Sequence, residues 1–346
     1  MAYTTINKST DYFNTKLYTG NGSDNNAITG VGFQPDMVWL KNRSTTNSHY
    51  LQDAVRTATK NLKVDGSDAE ETRTGSLKSF DSDGFTLGTE TAINGNGNNL
   101  VSWNWKANGA GSSNSDGSIT STVSANTTAG FSIVSWTGNN TNGATVGHGL
   151  GTAPSVVFFK NRGSVNSWHV YHKSLSTPQT SLLLLDTNGA TYTSNNYMSG
   201  TVPSSSLLYL GNSGATNENG VNFIAYCFVE KTGYSKFGKF IGNGSTDGTF
   251  IYTGFKPSFV IAKESSSTGH WRMRDDKRMT AGNPIDKLLR PDQSNAEQTE
   301  DNVDFLSNGF KMRTTGGENN GSGDTYIYMA FGQSLVGSNN VPATAR

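Results

Sequence analysis

Short apolar runs separated by polar, glycine-rich stretches recur along the whole chain, and three of them follow a proline: "DMVWLKNR", "SVVFFKNR" and "SFVIAKES". Such runs, bounded by turn formers, are too short for helices and read as central strands buried on both faces near their middle. The lysine near the end of each, Lys41, Lys160 or Lys263, is expected to mark the exit into solvent. Farther on, "LVSWNWKANG", "FIAYCFVEKTG" and "YIYMAFGQSL" alternate bulky and small residues, as half-buried strands do. Between these lie "GFTLGTE", "SLLLLD", "LLYLGNS" and "GFKMRTTG", also strand-like. About six to eight short strands per hundred residues, with turn formers between them, predict an antiparallel β-sandwich or jelly roll.

The same words return three times. Aligning "YTGNGSDNNAITGVGFQPDMVWLKNR", "WTGNNTNGATVGHGLGTAPSVVFFKNR" and "FIGNGSTDGTFIYTGFKPSFVIAK" puts Gly20, Gly138 and Gly242 in register, then Pro35, Pro154 and Pro257. The spacing is that of a whole domain, not of a solenoid unit. The expectation is an all-β chain of three tandem antiparallel β-sandwich or jelly-roll-like domains, over residues 16–109, 131–232 and 233–335. Residues 1–15 form an N-terminal arm, which reads equally as an attachment device or a frayed terminus. Residues 110–130 are rich in Gly, Ser, Asn and Thr and read as a linker or a β-arm, the alternation in "SITSTVSA" favouring partial order. Residues 336–346 are expected to be a C-terminal tail.

Composition narrows the function. With 27 basic against 27 acidic residues, no broad field is available to hold a nucleic-acid backbone, and nucleic acid is not an expected partner. No apolar run reaches membrane-spanning length, and the first twenty residues have no signal-peptide core, so membrane insertion is not expected. Cys227, the single cysteine, reads as a buried, inert thiol. Gly-Asn-Gly at Gly20–Gly22 and Gly242–Gly244 is followed by a loop and a strand, where nucleotide motifs need a helix. It reads as a turn needing positive φ. Asp81, Asp83 and Gly84 resemble the start of a calcium loop, but the third repeat has "FLSNGFKMR" in that place, an exchange a turn tolerates and a metal site does not. No catalytic group, metal site or cofactor is predicted. Asp275 and Asp276 are adjacent and so do not flank a glycosidic bond, and His169 and His172, three apart on a strand, face opposite ways.

An aromatic-plus-His pair recurs at one place in each repeat, in "NSHYLQD", "NSWHVYHK" and "TGHWRMRDD". Packing or a loop clamp is the favoured account. The alternative is a shallow sugar-binding patch of Trp168, His169 and Tyr171, or of His270, Trp271 and Arg272, because aromatic faces with polar edges suit carbohydrate rings.

With "GYSKFGKFIGNGSTDGTFIYTGFKPSFVIAK", "NFIAYCFVEKTGYSKFGK" and "STDYFNTKLYTGNGS" in view, the chain resembles tandem-repeat virion structural proteins of marine tailed phages, including those infecting cyanobacteria and SAR11-type bacteria. The second repeat departs from that pattern, with "GTAPS" in place of Gly-Phe-x-Pro. The resemblance implies a non-enzymatic protein at the virion surface, capsid-decorating or tail-attached, and carries over no catalytic residue. It implies other virion proteins of the capsid or tail as partners, and a homo-oligomer. The alternative it leaves open is a tail-fibre-like protein that recognises host surface carbohydrate.

Overall fold

The computed structural model describes residues 3–337. The chain is all-β, built of antiparallel sheets with only one-turn helices between strands. In the first repeat an inner sheet runs, in spatial order, through the strands Phe13–Thr19, Asn99–Trp105, Met37–Asn42, Tyr50–Asp53, Lys60–Lys63 and Glu71–Thr72. Outside it lies a smaller sheet of Asn26–Thr29, Gly84–Leu87 and Leu77–Asp81. The second repeat copies the inner sheet in Phe131–Thr137, Asn222–Phe228, Val156–Asn161 and His169–His172, and the third in Ser235–Ile241, Thr325–Gln333, Lys256–Glu264 and Arg272–Asp275.

Alternation along the central strands shows why these runs are apolar on both faces. Met37 and Trp39 point one way and Val38 and Leu40 the other; Val156 and Phe158 are set against Val157 and Phe159. In each repeat the second set joins a core private to that repeat, sandwiched between inner and outer sheet. The first set of all three repeats meets in one common core, where Trp103 and Trp105, Tyr226 and Phe228, and Met329 and Phe331 stand at matching places. Phe331 lies within ring-contact distance of Phe13, Trp105, Phe228 and Phe259, so residues of all three repeats touch one aromatic side chain. The tandem segments are therefore three wedges of one body arranged about a pseudo-threefold axis.

The arm and linker belong to this body. Ile6 is buried in the common core, Ser9 donates its amide to Gln333 Oε1 at 2.7 Å, and the Tyr3 hydroxyl donates to the Gly254 carbonyl at 2.9 Å. Neither reading of residues 3–15, a free attachment arm or a frayed end, describes this packing. The linker is ordered as the sequence favours: Ser121–Asn126 pairs with Phe131–Thr137, and Ser112–Asn114 pairs with Ser121–Asn126. Of the C-terminal tail, residues 338–346 lie outside the described residues.

The repeated Gly-Asn-Gly is a turn, as predicted, but its two glycines act differently. Only Gly22, Asn140 and Gly244, third in each triplet, have positive φ, at 70°, 56° and 64°. The first glycine is required by close approach: a Cβ on Gly20, Gly138 or Gly242 would fall 2.3, 2.3 or 2.2 Å from a backbone carbonyl. What presses against it is a buried asparagine turn. Asn94, Asn217 and Asn320 each accept the amide of Asn21, Asn139 or Asn243 through Oδ1, at 3.1, 2.9 and 3.0 Å. Their Nδ2 groups donate onward to backbone carbonyls of the neighbouring loops.

Candidate functional site

Two of the residues singled out by sequence, Trp168 and Trp271, lie at the joints between repeats. Three joints carry the same backbone bonds: Asn166 N to Ser67 O at 2.8 Å, Gly269 N to Asn188 O at 2.9 Å, and Asn47 N to Ser294 O at 2.9 Å. A second set matches them, Glu70 N to Arg162 O, Thr191 N to Ser265 O and Glu297 N to Arg43 O. Each joint thus brings one edge of a repeat against the next, and the third repeat closes on the first.

Trp168 and Trp271 are keys in these joints. Both are buried in the common core, and each indole donates across the joint at 2.8 Å, Trp168 to Lys63 O and Trp271 to Leu184 O. His49 holds the same position in the first repeat and accepts the Trp39 indole proton on Nδ1 at 3.0 Å. His169 is buried against Tyr197, with ring centres 4.5 Å apart, and Tyr171 packs in the second private core. The proposed patch of Trp168, His169 and Tyr171 therefore shows no aromatic face to solvent. In the other patch Arg272 is buried between Glu300 and Glu318. His270 is half-buried, its Nδ1 donating to Asp292 Oδ2 at 2.6 Å while Nε2 accepts from Gln293. Trp168 and Trp271 are thus spent on closing the ring of repeats, while His169, Tyr171, His270 and Arg272 are engaged by partners within their own repeats.

All three lysines expected to exit into solvent are buried, and two of them are joint elements, while Lys263 Nζ donates to Glu264 O of its own strand. Lys41 Nζ donates to Asn47 O at 2.6 Å and across the joint to Ser294 O at 3.0 Å, while Lys160 Nζ reaches Ser67 O at 3.3 Å. Burial lowers Lys41, Lys160 and Lys263 to about 8. A strand-terminal lysine after an apolar run looks solvent-bound in sequence; only the neighbouring repeat converts its end into a carbonyl-lined socket.

Behind each joint sits a second motif that sequence reading missed. Asp53 binds Arg56 Nε at 2.5 Å and accepts the Tyr226 hydroxyl from the second repeat at 2.6 Å. Asp275 binds Arg278 Nε at 2.6 Å and accepts the Trp103 indole proton from the first repeat at 3.0 Å. The second repeat has His172 and Leu175 there, and His172 Nε2 meets Tyr328 O at 3.2 Å. Around the charged joints Glu70 ties Arg56 to Arg162, and Glu297 ties Arg278 to Arg43. The Asp-x-x-Arg spacing in two repeats is the signal that alignment of the repeats would have shown.

The calcium-like stretch is likewise satisfied internally. Asp83 accepts the amides of Gly30 and Gly32 at 2.9 and 2.7 Å, and Asp81 accepts the hydroxyls of Ser79 and Thr86 at 2.8 and 2.7 Å. Among the described residues no cluster of three or more His, Cys, Asp or Glu is placed to hold a metal, and no helix is long and apolar enough to cross a membrane. Burial pushes the Cys227 thiol up to about 12.

A cleft of about 450 Å³ opens where the N-terminal segment crosses between the first and third repeats, lined by Lys8, Asn14, Ser258, Asp276 and Lys277 among others. Desolvation raises Asp276 to about 6. Its neighbour Asp275 is fully engaged by Arg278, so the cleft presents polar binding groups rather than two carboxylates facing each other across a glycosidic bond.

No curated protein and no solved structure matches the chain. One family model does, over residues 8–334, and so takes in all three repeats together with most of the N-terminal segment. The chain belongs to that family, described as Domain of unknown function (DUF7483).

Proposed function

We propose that the chain is a non-enzymatic structural protein of a virion surface, capsid-decorating or tail-attached, which docks onto the particle and exposes its β-sandwich loops. The observation that supports this reading is the cyclic closure of three repeats about one core, with an outer sheet of two to four strands at the corresponding place in each repeat. A pseudo-threefold monomer can meet a threefold arrangement of neighbours with three related surfaces, as symmetric assemblies require. The resemblance to virion structural proteins of marine phages points the same way. Because residues 3–15 are already packed within the chain, docking is assigned to the outer sheets and loops rather than to that segment. The test is quantitative mass spectrometry of purified particles. Many copies per particle are expected for decoration and a few for a tail attachment; absence from particles overturns the reading.

A second reading, a tail-fibre-like protein that binds host surface carbohydrate, is favoured by one observation. Among the described residues, the third repeat carries the most exposed aromatic rings of the outer sheets, Phe250 and Tyr252, whereas Phe80 in the first and Tyr209 in the second are half-buried. Particle adsorption after substitution of these two residues tests it; unchanged adsorption removes it.

A further inference from the structure

The three repeats are an internal control for surface positions. On the outer sheet, Phe250 pairs with Lys311 and Tyr252 with Gly309; the corresponding residues are Ala27 and Thr29 in the first repeat and Thr145 and Gly147 in the second. At the end of the first inner strand, Thr19 and Thr137 become Ile241. Small or polar residues thus serve the fold at all three places, and only the third repeat replaces them with large apolar ones. Those stay in solvent: Phe250 is 44% exposed, Tyr252 60%, Ile241 61% and the adjoining Tyr3 42%.

The rings are set against backbone rather than standing free. A Cβ at Gly309 would fall 2.9 Å from the Phe250 ring, and one at Gly254 would fall 2.6 Å from the Tyr3 hydroxyl and 3.5 Å from that of Tyr252. Gly309 is required first by the Ile251 carbonyl, 2.1 Å from where its Cβ would stand, as Gly84 is by that of Ile28 in the first repeat at 1.9 Å; in the third repeat the Phe250 ring also fills the space over it. Tyr3 donates to Gly254 O at 2.9 Å, which ties the N-terminal segment to the rim. The Thr249 hydroxyl donates to Ile241 O at 2.8 Å, bringing that residue to the same surface. Next to Phe250, Lys311 pairs with Asp247 at 2.5 Å, and Arg313 pairs with Asp304, which lies across from Lys311, so charges of the two signs are matched beside the rim.

The strand Phe250–Tyr252 is an edge of its sheet. In the second repeat the corresponding edge is covered by the linker, through Ile119 N to Thr145 O at 2.9 Å. Side chains of this size offer on the order of 200 Å² each. About half exposed, the four give roughly 400 Å², half of the about 800 Å² that each partner buries in a stable protein interface. A small ligand with an apolar face and hydroxyl edges fits this area better than a folded protein does. Two rings on one face of a strand stand about 7 Å apart, offering successive stacking surfaces.

We propose that Phe250 and Tyr252, with Tyr3 and Ile241, form a stacking platform for a neutral saccharide. Pyranose faces lie on the two rings, and hydroxyls reach the Tyr3 and Tyr252 hydroxyls and the Asp247–Lys311 pair. The balanced rim favours uncharged sugars. This names the ligand class of the carbohydrate-binding reading and rests on it, but the test uses the purified chain alone. Its failure therefore leaves the particle role to the copy-number measurement.

The experiment is saturation-transfer NMR and calorimetric titration with neutral hexaoses of glucose, galactose, mannose and N-acetylglucosamine. The variant Phe250→Ala/Tyr252→Thr gives the third repeat the outer-strand residues of the first, at exposed positions where the fold does not need the rings. Saturable binding by the native chain to at least one probe, weakened tenfold or more in the variant with an unchanged melting temperature, is expected. Absence of binding to every probe, or equal binding by the variant, overturns the proposal. So does a native dimer that the variant converts to monomer, which would make the patch a contact between copies.

Discussion

Replacing Arg56 by leucine removes a guanidinium that lies wholly inside the joint between the first two repeats. Its Nε binds Asp53 at 2.5 Å, Nη1 reaches Glu70 at 3.1 Å, and Nη2 donates to Leu51 O at 3.0 Å and contacts the Tyr226 hydroxyl at 3.1 Å. The Asp53 carboxylate, also fully buried, would keep only the Tyr226 hydroxyl at 2.6 Å and the residue-56 amide at 2.9 Å. An ion pair broken on one side in the interior costs about 3–5 kcal/mol, because the remaining charge stays desolvated. The second repeat supplies the uncharged solution, His172 with Leu175. Asp53→His/Arg56→Leu should therefore cost much less than Arg56→Leu alone, because replacing a whole buried pair by uncharged groups is often close to neutral. The single Asp53→His, which leaves the buried Arg56 only Glu70 as a charge partner, at 3.1 Å, should cost less than Arg56→Leu but more than the double variant. Urea unfolding of the four proteins, followed by far-ultraviolet circular dichroism and tryptophan fluorescence, gives the cycle. A cost below about 1 kcal/mol for Arg56→Leu, or a double variant weaker than either single, would refute the argument that charge pairing governs this joint.

Ile6→Ala should destabilise the whole molecule by about 2–5 kcal/mol, and fluorescence and circular dichroism should still trace one transition, since Ile6 belongs to the core all three repeats share. Burial lowers His169 and His172 to about 4 and holds His49 well below the usual imidazole range, so the unfolded chain takes up protons that the folded chain refuses. Their contribution to stability is full above pH 6.5 and is lost as pH falls toward 4, against a smaller opposite change from Asp276; unfolding measured from pH 4.5 to 7.5 should show the net loss, and His172→Gln should reduce it. Lys41, Lys160 and Lys263, lowered to about 8, add a second rise in stability between pH 8 and 10.5, which Lys41→Met should flatten in the same titration. Cys227 should react with a disulfide reagent at a negligible rate in the native protein and rapidly in urea, as followed by absorbance of the released thiolate.

Local pattern was enough to determine the strands, the antiparallel class and the threefold repetition, because alternation and turn residues act over a few positions. It also identified the Gly-Asn-Gly turn and the buried thiol, which depend on near neighbours. It did not determine what the second apolar face of each central strand covers. Val38 and Trp39 look equally apolar, yet one enters a private core and the other the common one, and that choice depends on repeats more than a hundred residues away. For the same reason Lys41 reads as a solvent-bound residue in isolation, and Trp168 and Trp271 as packed residues with no partner named. Each becomes buried only when the edge of another repeat supplies a carbonyl for its N–H. The exposed rings of Phe250 and Tyr252 gave the opposite difficulty: on a three-residue strand they resemble core residues, and the solvent on their outer side is a property of the assembled sheet edge alone.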